Sequence, residues 1–242
     1  MTLAIRGDRA SCLSIQLANG TWLLAVARGF GRIGGVPAET ALLGRLRAEC
    51  RRRGRNPLFR RAVERPRTAA TAILAVLTRI NGALYASTAS HDDYVTAAAS
   101  LTAVLVVQRF AYVIHAGATA AYLARGETIV PLCAGDPGEE NPLRVLSRAF
   151  AAAPALDVEI TQTRLLRGDA IVLLGRRLPE MDLTALLERL ERDEACDQVL
   201  VARFDEESPR APARRSHGRA RASLVARIAA VIGLLAAAVL SH

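Results

Sequence analysis

The chain reads Leu23-Leu24-Ala25-Val26-Ala27-Arg28-Gly29-Phe30-Gly31-Arg32-Ile33-Gly34-Gly35 near its N-terminus, and this stretch decides the fold. Its first five residues are apolar, which predicts a buried strand. Four glycines in the last seven residues predict a loop that turns sharply or approaches another group closely. A helix with Pro37 in its first turn is predicted next, and its apolar side carries Val36, Leu42, Leu43 and Leu46. This order suits an anion or metal site, and it equally suits an ordinary tight connection.

The glycine loop resembles a motif of the metal-dependent, type 2C (PPM-type) protein serine/threonine phosphatases. In that family a strand ends in Val-Ala-Asp-Gly-Met-Gly-Gly-His, and a glycine and a helix follow. This chain reads Val26-Ala27-Arg28-Gly29-Phe30-Gly31-Arg32-Ile33 at the corresponding place. The order of elements is the same, but Arg28 replaces the aspartate that holds the metal pair in the family.

Three further segments resemble the family in order and spacing. The family's Tyr-Val-Ala-His-Val-Gly-Asp-Ser-Arg is similar to Tyr112-Val113-Ile114-His115-Ala116-Gly117-Ala118-Thr119-Ala120. Its Leu-x-x-Gly-Asp-x-x-Leu-Leu-x-Ser-Asp-Gly-Leu is similar to Leu165-Leu166-Arg167-Gly168-Asp169-Ala170-Ile171-Val172-Leu173-Leu174-Gly175-Arg176-Arg177-Leu178. Its last strand, Asp-Asn-x-Thr-Val, resembles Asp197-Gln198-Val199-Leu200-Val201. Ala118 and Arg176 therefore replace two family aspartates, whereas Asp197 retains one.

The resemblance covers about residues 3–204 and implies which positions correspond to the family's metal site. Those positions are Arg28, Gly29, Arg176 and Asp197. The family has another metal aspartate near Ala10-Ser11-Cys12, where the nearest carboxylate of this chain is Asp8. Arg6 or Arg9 corresponds to the family's phosphate-binding arginine, and the sequence does not choose between them.

The family hydrolyses phosphoserine and phosphothreonine esters with two divalent cations, Mg²⁺ or Mn²⁺, which activate a bridging water. Such hard cations need several oxygen ligands, and a guanidinium repels them. We therefore expect no metal cofactor, and we expect a pseudophosphatase that serves as a binding or regulatory module. If Arg28, Arg176 and Arg9 face the cleft that holds the metal pair in the family, they predict a site for phosphate or carboxylate groups, such as those of a phosphoprotein partner.

Two alternatives to this anion site stay open. Arg28 or Arg176 could instead pair with Asp197 or Glu39 and simply fill the old site. The chain could also be an active protein serine/threonine phosphatase with a remodelled site. In that case Asp8 and Asp197 would hold one Mg²⁺ or Mn²⁺ ion, with Asp197 the weak remnant of the family's metal site.

Positive charge is concentrated in two segments, residues 44–67 and residues 206–227. All 32 basic residues are arginine and the net charge is +9. Residues 44–67 hold ten arginines against Glu49 and Glu64, which suits a surface for nucleic acid or phosphoprotein, or a solvated helix end and loop. Aromatic residues make up only 4% of the chain and no nucleic-acid-binding motif accompanies them, so we do not expect a nucleic-acid partner.

Strands are predicted within residues 3–26, 101–132, 157–174 and 198–204, and helices at 36–50 and 68–86, joined by an arginine-rich loop with Pro57 and Pro66. This alternation predicts an α+β domain. The resemblance sharpens it to an α-β-β-α sandwich of two antiparallel sheets flanked by helices. The four cysteines form no Cys-x-x-Cys pair, which predicts reduced, buried thiols. His115 is predicted to be structural.

The C-terminal part predicts a membrane anchor. We divide the chain into a phosphatase-like domain at 1–205, a Pro- and Arg-rich linker at 206–222 and a transmembrane helix at 223–240. The last segment is apolar on all sides and long enough to cross the hydrocarbon core. Arginines just before it predict that the domain lies on the cytoplasmic side of the inner membrane, held by a single-pass tail anchor. A helix docked on the domain or on a partner is the alternative.

Overall fold

The computed structural model describes residues 2–5, 11–88, 97–126, 128–133, 148–176 and 199–204. These residues contain twelve strands and three helices. The strands are β1 Thr2–Ile5, β2 Cys12–Ala18, β3 Thr21–Phe30, β4 Arg32–Ile33, β5 Val36–Pro37, β6 Ala98–Val107, β7 Phe110–Ala116, β8 Ala120–Arg125, β9 Thr128–Cys133, β10 Glu159–Arg164, β11 Ala170–Leu174 and β12 Val199–Arg203. The helices are α1 Ala38–Arg53, α2 Pro57–Val63 and α3 Pro66–Thr88.

Two five-stranded sheets form the centre of the fold. Sheet 1 has the order β1-β12-β11-β8-β9, and sheet 2 has the order β10-β7-β6-β3-β2. Every neighbouring pair of strands in them is antiparallel. A two-stranded hairpin, β4-β5, extends from the end of β3. The α+β class and the two antiparallel sheets predicted from the sequence are therefore confirmed.

The apolar run in β3 is buried on both faces of sheet 2. Leu24 and Val26 lie in a core between the two sheets, opposite Leu173 and Leu200 of sheet 1. Successive residues of a strand point to opposite faces, so the intervening residues of β3 lie on the other side. Leu23 is among them, and it packs in a second core beneath the helices. The absence of polar alternation in this stretch is thus the signature of a strand covered on both faces.

A helical layer covers the outer face of sheet 2. Helix α1 contributes Leu42 and Leu46 to the core beneath it, and α3 contributes Ile73 and Leu77. By length and composition, α3 is also the one helix of the described residues that is apolar enough to cross a membrane. Because its inner side is buried against sheet 2, α3 has the environment of a core helix.

Two local predictions in this layer are wrong. The segment after Pro57 is a helix rather than a loop, because Asn56 caps it through a 2.8 Å bond from the Leu58 amide to Asn56 Oδ1. Proline at the first helical position costs no hydrogen bond there, so Pro57 starts α2 instead of preventing it. Val36 does not belong to the apolar side of α1: it pairs with Ile33 in the β4-β5 hairpin and is exposed.

The remaining elements follow the predictions closely. Ala170–Leu174 is a buried strand, and the residues before it form the predicted turn. Cys12, Cys50 and Cys133 are buried thiols that form no disulfide with one another, as expected. The linker predicted at 206–222 and the C-terminal apolar helix predicted at 223–240 lie outside the described residues. Cys196 lies outside them as well.

Candidate functional site

The end of β3 carries the first candidate residues. Near the end of β3, Arg28 pairs with Ser100 of β6 and Gly29 pairs with Ala99. Because β6 also pairs with the end of β7, the β7-β8 connection lies beside this point. The glycine loop therefore leaves sheet 2 next to the segment that holds Ala118.

The β7-β8 connection joins the two sheets at this same end. Ala120, the first residue of β8, pairs with Leu174, the last residue of β11. Leu174 also pairs with Val199, the first residue of β12. Arg176 follows β11 by two residues, so the topology brings it to the end of the sandwich where Arg28 and Ala118 lie. Positions far apart in the sequence are thus gathered as the resemblance implies.

The two arginines are exposed at this end of the fold. Within the described part of the chain, neither Arg28 nor Arg176 makes a hydrogen bond or an ion pair. The arrangement leaves both guanidinium groups available to solvent and to a ligand. A guanidinium presents a planar fork of N–H donors, which matches the oxygens of phosphate or carboxylate groups.

One carboxylate lies close to the glycine loop. The start of α1 is tied to the loop by a 3.2 Å bond from the Ala38 amide to the Gly31 carbonyl, and the half-buried Glu39 follows. Glu39 Oε2 lies only 2.5 Å from where a β-carbon on Gly29 would be. Arg28 and Glu39 form no ion pair within 4 Å, and pairing of either arginine with Asp197, which lies outside the described residues, stays an open alternative.

A buried polar network supports the β7-β8 connection from below. Ser100 Oγ accepts a 2.9 Å bond from the Ala118 amide. Thr102 Oγ1 lies 2.9 Å from His115 Nδ1 and 2.7 Å from Thr119 Oγ1, and all three side chains are buried. Buried polar groups that bond to one another fix a local geometry, because leaving any of them unpaired costs about 1–3 kcal/mol. The network makes His115 structural and holds the backbone at Ala118 in place.

Solved structures of known proteins show the same architecture. PppA from Pseudomonas aeruginosa is 15% identical, with 83% of this chain and 93% of that chain covered and a TM-score of 0.55. The serine/threonine phosphatase PstP from Mycobacterium tuberculosis is 18% identical over 85% of this chain and 97% of its own, with a TM-score of 0.53. Stp1 from Staphylococcus aureus, also a serine/threonine phosphatase, is 15% identical over 85% and 89%, with a TM-score of 0.56.

The chain has the type 2C serine/threonine phosphatase fold. No protein-family model matches the sequence, and no curated protein matches it either. Identities of 15–18% in the structural comparisons show a shared fold and leave the chemistry to be argued from the residues of this chain.

The described residues at the positions that the resemblance assigns to the metal site do not fit a pair of divalent cations. Arg28 and Arg176 bring positive charge, and Ala118 brings no oxygen in its side chain. Across the described ranges, no three His, Cys, Asp or Glu side chains are grouped as metal ligands. Gly29 can still offer its carbonyl, and Glu39 is the nearby carboxylate. Since Mg²⁺ and Mn²⁺ need several oxygen ligands, these groups alone are too few.

Several predicted site residues lie outside the described ranges. They are Arg6, Asp8, Arg9 and Asp197. Among the described residues, Cys12 Sγ lies 3.7 Å from the Val199 carbonyl oxygen, so the start of β2 and the start of β12 are neighbours.

The sequence did not identify Ser100, Thr102 and Thr119 as the buried polar residues that hold the β7-β8 connection in place. Their signal was present, since Ser100 and Thr102 are the polar residues of an otherwise apolar strand and lie two residues apart. Residues i and i+2 of a strand share a face, so both point to the same side of sheet 2. Their partners on β7 and β8 could not be identified without the strand pairing.

Proposed function

We propose that this chain is a pseudophosphatase, in which the type 2C fold serves as a binding or regulatory module instead of a metal-dependent hydrolase. The observation that carries the proposal is the placement of Arg28 and Arg176. Both are exposed at the end of the sandwich where the type 2C metal positions lie, and neither has a salt-bridge partner among the described residues. The site thus has the opposite sign of charge from one that holds cations.

Electrostatics argues against a resident metal pair. Two unit charges 4 Å apart repel by about 4 kcal/mol at an effective dielectric of 20, and a divalent ion doubles that cost to about 8 kcal/mol. Glu39, the carboxylate beside the glycine loop among the described residues, cannot by itself offset two guanidinium groups and also supply the oxygens that each cation needs. The alternative is an active phosphatase in which Asp8 and Asp197 hold a single ion. Assays of metal-dependent turnover and of phosphate binding distinguish it from the pseudophosphatase.

An anion suits the site better. Each guanidinium can donate two parallel N–H bonds to a phosphate or carboxylate, and charge assistance makes such bonds about twice as strong as neutral ones. The exposure of both side chains matches recognition of a group on another protein, such as a phosphoserine. PppA, which shares the fold, is described as a key regulatory component of T6SS. We extend a regulatory role of this general kind, acting through a protein partner, to the present chain.

The first experiment measures catalysis and binding on the full chain. We expect no Mg²⁺- or Mn²⁺-dependent turnover of an aryl phosphate or a phosphoserine peptide. Inorganic phosphate or the phosphopeptide should raise the melting temperature, because a ligand that binds only the folded state stabilises it. Metal-dependent turnover that disappears in Asp197→Ala would establish the active-phosphatase alternative and overturn the proposal.

A matched pair of variants localises the anion. Arg28→Ala should abolish the shift in melting temperature that phosphate causes. Arg164→Ala is the control, because Arg164 is exposed and lies at the opposite end of sheet 2, where it pairs with Phe110. A shift that persists in Arg28→Ala and in Arg176→Ala would place the anion elsewhere and contradict this site.

Membrane attachment is a second proposal, which rests on the sequence of residues 223–240. A helix of these eighteen residues spans about 27 Å, close to the hydrocarbon thickness of about 30 Å. Arginines before the segment would keep the domain on the cytoplasmic side of the inner membrane. Fractionation tests it: release of the full chain by alkaline carbonate, or an unchanged distribution after deletion of 223–242, would rule out the anchor.

A further inference from the structure

The helical layer presents a concentrated positive surface to solvent. Nine arginines of α1, α2 and the start of α3 are exposed, and we call them the arginine face. They are Arg45, Arg47, Arg51, Arg52, Arg55, Arg60, Arg61, Arg65 and Arg67. No type 2C motif involves this surface. Because α1 and α3 bury their other sides against sheet 2, the arginine face points away from the core.

Little of this charge is neutralised by the protein itself. Glu49 binds Arg52 at 2.7 Å and also Arg53. Glu64, the other acidic residue of the segment 44–67, makes no ion pair with any residue that the structure describes. Eight of the nine arginines therefore have no acidic partner in the described part of the chain. Exposed arginines that form no ion pair within the described chain can interact with an external anionic partner.

A large apolar side chain is exposed within the segment that carries the arginine face. Leu58 is 75% exposed, the highest value for a large hydrophobic residue in the described chain. It is held firmly, since its amide bonds to the Asn56 cap and the neighbouring Phe59 and Val63 are buried. Arginines 55, 60 and 61 flank it in sequence. The feature is therefore an exposed leucine in the first turn of a capped helix, with basic residues close to it in the sequence.

We propose that the arginine face binds the surface of an anionic lipid bilayer, with Leu58 inserted among the headgroups. Basic side chains near a negatively charged leaflet each raise the partition coefficient about fivefold, and an apolar side chain adds to this by entering the interface. A combination of exposed leucine and unpaired arginines matches this chemistry. Single-stranded nucleic acid fits less well, because the one aromatic residue in segment 44–67, Phe59, is buried and offers no base a stacking surface.

The position of the face leaves the anion site accessible. Glu39, beside the glycine loop, and Arg52 lie on the same helix with a separation of thirteen residues, or about 20 Å along α1. A bilayer that contacts the C-terminal end of α1 and α2 therefore lies well away from Arg28. The lipid contact would orient the domain on the membrane while a protein partner occupies the other end. This inference depends on neither the pseudophosphatase proposal nor the tail anchor.

A local probe tests the proposal on the full chain. An environment-sensitive fluorophore is attached at Leu58→Cys in a Cys196→Ser background, in which the buried Cys12, Cys50 and Cys133 stay unlabelled. We expect a blue shift on vesicles of phosphatidylcholine with phosphatidylglycerol, and none on pure phosphatidylcholine. Raising the salt concentration should reverse it. Because the probe reports on its own surroundings, insertion of the C-terminal segment into both kinds of vesicle does not mimic the result.

Matched variants complete the test. The combined change Arg55→Gln, Arg60→Gln and Arg61→Gln should abolish the blue shift on the anionic vesicles, because at about fivefold per arginine it weakens the contact of the arginine face about a hundredfold. A probe at Val130→Cys is the control, since Val130 is 43% exposed on β9, away from the helical layer. Equal emission on both vesicle types, or a shift that survives the triple change, overturns the proposal. A response to RNA or to an acidic polypeptide without a response to the anionic vesicles overturns it as well.

Discussion

Glu39 Oε2 lies 2.5 Å from the point that a β-carbon on Gly29 would occupy, and the Glu39 amide nitrogen lies 2.7 Å from it. The end of β3 and the first turn of α1 therefore approach so closely that only glycine fits between them. Real β-carbons essentially never sit within 3.0 Å of another heavy atom. The glycine that begins the loop is thus required by packing, whether or not the site binds a ligand.

Replacing Gly29 should destabilise the fold. We expect Gly29→Ala to lower the free energy of unfolding by about 1–3 kcal/mol, as is usual for overpacking, because the backbone of α1 must shift. Gly44→Ala is the matched control. Gly44 lies exposed in α1 with open space around it, so the change should raise stability by about 0.5–1 kcal/mol through helix propensity. Urea unfolding measures both, and a neutral Gly29→Ala would disprove the close approach.

The turn before β11 should depend on a buried carboxylate. Asp169 is 1% exposed, and its oxygens accept bonds from Arg125 at 2.8 and 3.1 Å and from the Leu166 amide at 2.7 Å. Asp169→Ala removes all three bonds and should cost about 2–3 kcal/mol of unfolding free energy. The exposed Asp157, whose side chain is 65% accessible, pairs with Arg148 and serves as control. Asp157→Ala should cost about 0.5 kcal/mol, and equal losses in the two variants would contradict the difference in burial.

Thiol reactivity should follow burial. Desolvation raises the pKa of Cys50 from 9.0 to about 12 and that of Cys133 to about 11. In the native protein at pH 9 we expect both thiols to resist iodoacetamide, and in urea we expect both to react, because the thiolate is the nucleophile. Peptide mapping by mass spectrometry reads each cysteine separately. Rapid native labelling of either would show that its site opens to solvent.

The same raised pKa values predict a loss of stability in alkali. A folded-state pKa above the unfolded value means that the stabilising contribution is complete below pH 9 and is lost as the pH rises through 9 towards 11–12. Cys50→Ala and Cys133→Ala should each flatten this part of the stability curve. The check is urea unfolding at several pH values, and a slope unchanged in both variants would contradict the assignment.

The ion pairs of Glu49 should make the free energy of unfolding fall in acid, whereas the cysteines make it fall in alkali. Its bonds to Arg52 and then Arg53 lower the pKa of its carboxyl from 4.5 to about 2. A depressed pKa stabilises the fold above the unfolded value, and this contribution is lost as the pH falls from about 4.5 through about 2. Since the arginines face solvent, we expect Glu49→Gln to cost at most about 1 kcal/mol at pH 7. Glu64→Gln, which breaks no ion pair among the described residues, is the control, and urea unfolding between pH 2 and 7 measures both variants.

The sequence predicted the sheets better than it predicted the site. Long apolar runs such as β3 and β6 are buried on both faces, so their hydrophobicity alone identified them. The sequence predicts a loop at Pro57, whereas the structure has α2 there, because Asn56 caps a helix in which proline occupies the first position. The gathering of Arg28 and Arg176 was expected only from the resemblance. The residues around Arg28 and Arg176 do not by themselves predict that these two strand ends lie close together. Their proximity depends on the pairing of β8 with β11 and of β3 with β6, which are far apart in the sequence.

Restoring carboxylates at the two arginine positions should create affinity for a divalent cation. Arg28→Asp with Arg176→Asp removes two positive charges and adds two oxygen-donor groups at the end of the sandwich, where Gly29 can add its carbonyl. We expect calorimetry to detect Mn²⁺ binding by this double variant and none by the native chain, since hard cations bind where carboxylates converge. The control is Arg164→Asp, which makes the same change of charge at the far end of sheet 2. If the native chain binds Mn²⁺ as tightly as the double variant, the two arginines do not occupy the old metal positions, and the pseudophosphatase proposal loses its basis.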